Sequence, residues 1–492
     1  MKQSPASLVL FSLIITLCRV SQPVCAQVPV RPSHEGKVVL FGNLHAHSKL
    51  SDDIAGAGDE LLPSEAFKYA HAHGLDFLAI TDHHKATDSP NRLWMTAAEY
   101  KEKLFDVAMA YNAAHIEAFV AIPGIEWGNT ATGNHVNVFG ANVVPPDTIA
   151  DTDYDELFEW AKLNAQMVQF NHPNSWKTQS NRNTSVGNYG RALYASDTEF
   201  VAKVDPAVQT ISIISSVAGG HISGELRHSE DKTHREMQWE KYYKEFLNLG
   251  FHISPAAIQH THWKKWGTVT AARTAVWASS GSYSDLMEGF KANRAYATED
   301  DELVLVYQVR YKEKTYWMGE SVLLESDEED VEVVIKIWQG SGTDGDATDE
   351  GPYTVEIITD PDGIGGQEAA ASTSNTYSGI LSNTERVVPL QVVAGAYVYL
   401  HISEEAGKDN ALGEGIDEVN NATGADGEDG KRDDMSDSAW TSPIWFHAVL
   451  FVWSKNSNLY HEPSCWAVKN ISQSNKRTGP APPGKTKHGC HP

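Results

Sequence analysis

The stretch Val38-Val39-Leu40-Phe41-Gly42-Asn43-Leu44-His45-Ala46-His47 joins a short, mostly apolar run directly to a His-x-His pair. A run of that length reads as a buried strand. Histidines at i and i+2 off a strand end project to the same side, so both imidazoles can reach one metal ion. The pattern recurs downstream. Residues 77–81 run into Asp82-His83-His84, residues 119–125 into Glu126, and residues 167–170 into Asn171-His172-Pro173. Residues 136–139 are entered from Asn134-His135. Residues 208–214 and 252–258 complete the set, and the last runs into His260-Thr261-His262.

Helical patterns separate these strands. Residues 63–73 carry proline in the first turn and stop at Gly74, and residues 97–115, 154–165 and 234–249 follow, the last ending before Gly250. Buried strands alternating with helices predict a parallel sheet. About seven such strands over roughly 250 residues favour a closed barrel over an open sheet. The expected class is therefore α/β, a distorted (β/α)7 TIM-like barrel over residues 37–300. Past residue 300 the pattern switches to period two, over 303–310, 331–338, 353–358, 387–393 and 396–402. That predicts a smaller antiparallel β-sandwich domain, 301–452, with an acidic, glycine-rich loop at 407–438. Residues 453–492 read as a loosely ordered tail.

The chain has 492 residues, with 39 basic and 65 acidic side chains and a formal charge of −26. The apolar stretch 8–17 after Lys2, followed by Val24-Cys25-Ala26, reads as a secretory signal peptide cut after Ala26. Its removal takes Lys2 and Arg19 and no acid, leaving −28. A secreted or periplasmic protein is expected, with no membrane span after cleavage. So acidic a chain argues against a nucleic-acid partner, which needs a basic face. After cleavage Cys465 and Cys490 remain. A pair in an exported chain suggests a disulfide closing the tail, and cysteine-based zinc ligation is then not expected.

Histidine is unevenly spread: 16 of 21 lie between His34 and His262. Nearly all the singled-out groups fall at carboxyl ends of predicted strands, the rim where barrel enzymes collect catalytic residues. One such histidine is ordinarily structural. Burying many without a cation leaves polar groups unpaired, at about 1–3 kcal/mol each. A metal centre follows from ligand type and placement together. Trp176, Trp263 and Trp266 could wall a cleft, and core packing explains them equally well. Asp344-Gly345-Asp346 and Asp426-Gly427-Glu428-Asp429 lack the full calcium-loop spacing and read as solvated acidic loops.

Leu44-His45-Ala46-His47-Ser48, Asp52, Ile80-Thr81-Asp82-His83, Glu126, His135 and Asn171-His172-Pro173 together resemble the PHP (polymerase and histidinol phosphatase) superfamily. Gly267-Thr268, Arg273-Thr274 and residues 438–445 are similar to its exported branch, which carries a C-terminal β domain. The resemblance implies a PHP-fold barrel with two or three divalent metals, zinc, manganese or iron. It further implies that His45, His47, Glu126 and His260 hold one ion. His83, Glu126, His135 and His172 hold another, with Glu126 bridging, and Asp52 and His262 hold the third. The family ordinarily ends on Asp-x-His, so His260 stands where a carboxylate is usual.

The resemblance and the charge balance lead to one expectation. It is a metal-dependent phosphoesterase in which metal-bound hydroxide attacks a small anionic phosphate ester. Glu126, Asp82 and His260 are the expected catalytic groups, and Arg182 and Arg273 the expected substrate contacts. Two alternatives remain open from sequence. One is hydrolysis of carbamate, amide or carboxylic esters in the same barrel. The other is a non-catalytic, metal-containing binding protein.

Overall fold

A computed structural model describes residues 31–51, 61–86, 95–128, 134–171, 189–218, 234–238, 240–262, 264–268, 270–300, 303–339, 353–359, 373–377, 385–404, 438–448, 451–461 and 465–479. A few single positions between 173 and 488 are also described. The first half alternates as the apolar runs predict. Its strands are β1 (Ser33–His34), β2 (Lys37–Asn43), β3 (Phe77–Ala86), β4 (Val120–Gly128), β5 (Val136–Phe139), β6 (Met167–Phe170), β7 (Thr210–Ala218), β8 (His234–Gln238), β9 (Ser254–Ile258), β10 (Arg273–Ala278) and β11 (Ala295–Thr298). Its helices are α1 (Pro63–Ala72), α2 (Ala97–Glu99), α3 (Asp106–Ala114), α4 (Tyr154–Asn164), α5 (Asp197–Val204), α6 (Glu240–Leu249) and α7 (Tyr283–Lys291). A π-helical turn, Tyr100–Phe105, joins α2 to α3. Thr96 starts this helical run with a reciprocal capping box to Glu99.

The sheet is rich in parallel pairs but not wholly parallel, which corrects the expectation. β2–β3, β3–β4, β6–β7 and β7–β9 run parallel, whereas β5 is antiparallel to both β4 and β6. The short connection from β4 to β5 is the physical reason, because a parallel return needs a long crossover. Residues 234–238, expected to be helical, instead form β8, antiparallel to β7. Strand pairing outweighs the helix propensity of Arg, Glu, Met and Gln there. At one side of the sheet, Ala46 bridges Thr261 in parallel, and the backbone N–H groups of His47 and His260 donate to Thr261 and His45 carbonyls. The segments following β2 and β9 therefore lie side by side. Gly42 permits the tight start of β3, since a Cβ there would fall 2.2 Å from the Phe77 carbonyl oxygen.

The second half is strand-built: β12 (Leu303–Tyr311), β13 (Lys314–Trp317), β14 (Ser321–Leu324), β15 (Glu328–Gln339), β16 (Tyr353–Thr359), β17 (Thr373–Tyr377), β18 (Glu385–Val393), β19 (Tyr397–Glu404), β20 (Ser438–Thr441) and β21 (Ile444–Ala448). One antiparallel sheet has the order β13-β12-β15-β18. Opposite it, β14 pairs parallel with β21, and β19 pairs antiparallel with β16, β20 and β21. Leu305, Tyr307, Val333 and Ile335 from the first sheet, and Val355, Leu400 and Phe446 from the second, share one buried cluster. The two halves are joined through the backbone, because β11 of the first pairs with β20 of the second.

The expected loose tail is instead a small sheet of β22 (Phe451–Ser454), β23 (Leu459–His461), β24 (Lys476–Gly479) and β25 (Thr486–Lys487), in the order β24-β22-β23-β25. Cys465 is disulfide-bonded. The acidic loop 407–438 lies outside the described residues, save Ser438. Among the described residues no helix is long and apolar enough to cross a membrane.

Candidate metal centre

Glu126, near the end of β4, is fully buried, and its carboxylate is the centre around which imidazoles gather. His135 Nδ1 lies 2.8 Å from Oε1 and His83 Nδ1 2.9 Å from Oε2. His45 Nε2 lies 3.5 Å from Oε1 and His47 Nε2 3.5 Å from Oε2. His83 sits beside Glu126 because β3 and β4 run parallel with those residues in register. His135 arrives just before β5, where Asn134 takes a positive φ of 81° and its Oδ1 accepts from the His135 N–H. Asparagine tolerates that left-handed backbone better than most residues. Burial opposes ionisation of Glu126. Charge on His135, His45 and His83, with the His135 hydrogen bond, overcomes it and holds the carboxyl well below the usual range.

The loop after β2 delivers His45 and His47. His45 Nδ1 lies 2.6 Å from Thr81 Oγ1 and 3.0 Å from Asn137 Nδ2. That leaves Nε2 facing Glu126, with Asn171 Nδ2 at 3.0 Å. Asn171 also donates to Glu126 Oε1 at 2.8 Å. His47 Nδ1 lies 2.9 Å from Ser51 Oγ, and Ser51 donates to Asp82 Oδ1 at 2.8 Å. Asp82 further accepts from Ser48 N–H and Ser48 Oγ, both at 2.6 Å. This buried carboxylate clasps the loop and turns Nε2 of His47 inward. Burial pushes its pKa up, against the lowering effect of the Ser48 and Ser51 hydrogen bonds. The His47 carbonyl accepts from Trp266 Nε1 at 2.7 Å, so Trp266 is bound to the loop as well as buried.

The segment after β9 closes the group. The His262 ring stacks on His47, centroids 4.1 Å apart, and the His260 ring lies 4.4 Å from that of His45. His260 has φ of 48°, a left-handed backbone that costs a non-glycine residue about 1–2 kcal/mol. His45, His47, Glu126 and His260 present ligand atoms within 4.8 Å of one another. Four imidazoles facing one buried carboxylate is donor chemistry suited to a divalent transition metal.

Arg273 is buried at the start of β10, and its Nη1 donates to the Thr270 and Ala272 carbonyls at 2.8 and 3.0 Å. His84 Nδ1 lies 2.9 Å from the Met95 carbonyl oxygen. Asp52, His172, Arg182, Trp176 and Trp263 lie outside the described residues. Sequence reading quoted Thr81 and Asn171 within the motifs without giving them a role, and did not single out Ser51 or Asn137. A signal existed for Asn137, because it stands at i+2 from His135, inside the apolar run that His135 enters.

No protein-family model matches the sequence. No curated protein matches it either. Among solved structures, the chain is similar to a two-domain protein containing a predicted PHP-like metal-dependent phosphoesterase from Bacteroides vulgatus. The identity is 14%, over 77% of this chain and 93% of that one, with a TM-score of 0.39. It is also similar to PsfC from Pseudomonas syringae, at 14% identity over 48% of this chain and 82% of that one, TM-score 0.30. An amidohydrolase from Chromobacterium violaceum, with bound sulfate and no metal, is 14% identical over 45% and 87%, TM-score 0.27.

Proposed function

We propose that this chain is an exported, metal-dependent hydrolase of the PHP type that cleaves a phosphate ester, in a sheet that curls into a distorted barrel. The observation that carries the reading is the Glu126 carboxylate, wholly buried and ringed by nitrogens of His45, His47, His83 and His135 at 2.8–3.5 Å. Divalent ions, when bound, polarise the ester oxygen and lower the pKa of a coordinated water. His45, His47, Glu126 and His260 would hold such an ion, and His83 and His135 would help to hold a second. These charges outweigh Glu126, so the centre favours an anionic group. His260 takes the place of the family's carboxylate; ligating through one ring nitrogen it keeps its proton on the other, so the proton-acceptor role open to a carboxylate there is lost. Asp82 acts as a positioning residue, through Ser51 on His47. Arg273 and Arg182 are the proposed anion contacts. The Cys465 disulfide fits an oxidising compartment, and the bridge from Ala46 to Thr261 fits a closing sheet.

The test is metal analysis of the mature chain, followed by a panel of phosphate monoesters, phosphate diesters, carbamates and carboxylic esters. Wild type is run beside Glu126→Gln. The reading expects phosphate-ester turnover that chelation and Glu126→Gln both abolish. Turnover confined to carbamates or carboxylic esters would move the substrate class and keep the hydrolase. Undiminished turnover in a metal-free chain would overturn both.

A further inference from the structure

Outside the Glu126 centre, a second group of metal-ligating side chains gathers in the C-terminal sheet. His461 ends β23, Cys465 begins a short 3-10 turn, and His488 follows β25. Cys465 Sγ lies 3.5 Å from His461 Nδ1 and 3.7 Å from His488 Nδ1. Zinc–sulfur and zinc–nitrogen bonds of about 2.3 and 2.1 Å at a tetrahedral angle put sulfur and nitrogen about 3.6 Å apart. The three ligand atoms lie within 4.8 Å of one another, and His461 and Cys465 are buried. The backbone holds the group in place: β23 and β25 pair in parallel, and His488 N–H donates to the Tyr460 carbonyl at 2.8 Å.

This sheet needs a fastener. Its buried apolar cluster is only Val452, Cys465 and Val468 among the described residues. A core that small gains much of its stability from a cross-link or a metal. The disulfide at Cys465 is one such fastener, and its partner lies outside the described residues, where the sequence points to Cys490.

The geometry points to a second: with Cys465 reduced, His461, Cys465 and His488 hold one zinc ion, so that disulfide and metal are exclusive states of the same fastener. A disulfide sulfur is not a ligand, because zinc takes thiolate. Reduction by an added phosphine breaks the S–S bond with two electrons. The phosphine becomes its oxide, taking oxygen from water, and the two water protons go to the two sulfurs. Zinc then displaces the thiol proton of Cys465 to solvent. The site is independent of the hydrolase reading, since the Glu126 cluster contains no sulfur ligand.

Cobalt(II) is the probe, because a sulfur-to-cobalt charge-transfer band in the near ultraviolet reports thiolate ligation alone. The full mature chain is reduced anaerobically with a phosphine and titrated with cobalt, as wild type, Glu126→Gln, Cys465→Ser and His488→Ala. The expected result is a saturable band whose amplitude corresponds to one thiolate-bound cobalt per chain, in reduced wild type and in reduced Glu126→Gln. It is absent before reduction and in Cys465→Ser, weakened at least tenfold in apparent affinity in His488→Ala, and displaced by zinc. His488 is only half-buried, so that variant keeps the test open if Cys465→Ser does not fold. A reduced wild-type chain with titratable thiols and no sulfur band overturns the proposal, as does a band of undiminished affinity in His488→Ala.

Discussion

His260 stands at the metal centre where the resembling superfamily ordinarily has aspartate, and on a left-handed backbone, φ 48°. Aspartate and histidine both tolerate that conformation. The substitution His260→Asp therefore leaves the melting temperature within a few degrees and raises the number or affinity of bound ions, read by metal analysis after dialysis. No change in either property would show that this position does not limit occupancy. Ser51 gives a second residue-scale prediction. Its hydroxyl couples His47 Nδ1 to Asp82. Groups that orient metal ligands are worth about 10–100-fold in metal affinity or activity. Ser51→Ala should lose that much metal affinity while folding normally, measured by competition with a chromogenic chelator. These partners were hard to read from sequence because Ser, Thr and Asn are common everywhere. His45, His47, Glu126 and His135 were legible because rare, chemically specific residues end or begin apolar runs.

At the scale of elements, the amino ends of β3 and β4 are pinned against β2 by Arg31 and Asp76. Arg31 Nε lies 2.6 Å from Asp76 Oδ1, and Asp76 Oδ2 accepts from the Phe41 N–H at 2.9 Å. Arg31 Nη1 also donates to the Glu117 carbonyl at 2.7 Å, just before β4. Arg31 and Asp76 together thus tie the segment before β1 to β2, β3 and the run into β4. Burial pushes the Asp76 pKa up, against Arg31 and the Phe41 hydrogen bond. Removing the guanidinium leaves a buried carboxylate uncompensated, at a cost of about 3–5 kcal/mol. Arg31→Met should show that loss in urea unfolding at neutral pH. A change below about 1 kcal/mol would mean that Asp76 takes up a proton or finds water. The misread element, β8, belongs to this scale too. Its residues favour a helix locally, and only pairing with β7 makes them a strand.

At the scale of the molecule, the two halves share their cores. Tyr397, Tyr399, Trp440 and Trp445 from the β-rich half sit in the same buried cluster as Phe246 and Phe251. Helix α6 is stitched to the second half by Tyr399 donating to Glu240 Oε1 at 2.6 Å, Tyr397 donating to Asn248 Oδ1 at 2.8 Å, and Tyr243 donating to the Thr441 carbonyl at 3.0 Å. The chain should therefore melt in one transition, with far-ultraviolet dichroism and tryptophan fluorescence coinciding. Two separated transitions would mean that the shared core is weaker than its burial implies. Glu240 adds a pH dependence. Burial raises its pKa, and His401, Tyr399 and Lys244 more than offset this, so the folded value is depressed. A depressed carboxylate stabilises above its unfolded pKa, about 4.3, and that contribution is lost as pH falls through the lower folded value. Glu240→Gln should cost about 1–3 kcal/mol at pH 7. Its gap to wild type should narrow as the pH falls below about 4.

Local pattern by itself determined the strand and helix alternation up to about residue 300, the β-rich half beyond it, and the residue types of a metal centre. Period and chemical identity are properties of short windows, so they survive without the fold. The tertiary structure alone decided that four histidines share one carboxylate, that β5 and β8 run antiparallel, and that the halves are fused through β11 and β20. It also decided that the supposed tail is a sheet carrying its own ligand cluster. Those are facts of pairing between residues far apart in sequence. Their energy comes from contacts that no window contains, such as His45 against Asn171, or Cys465 against His488.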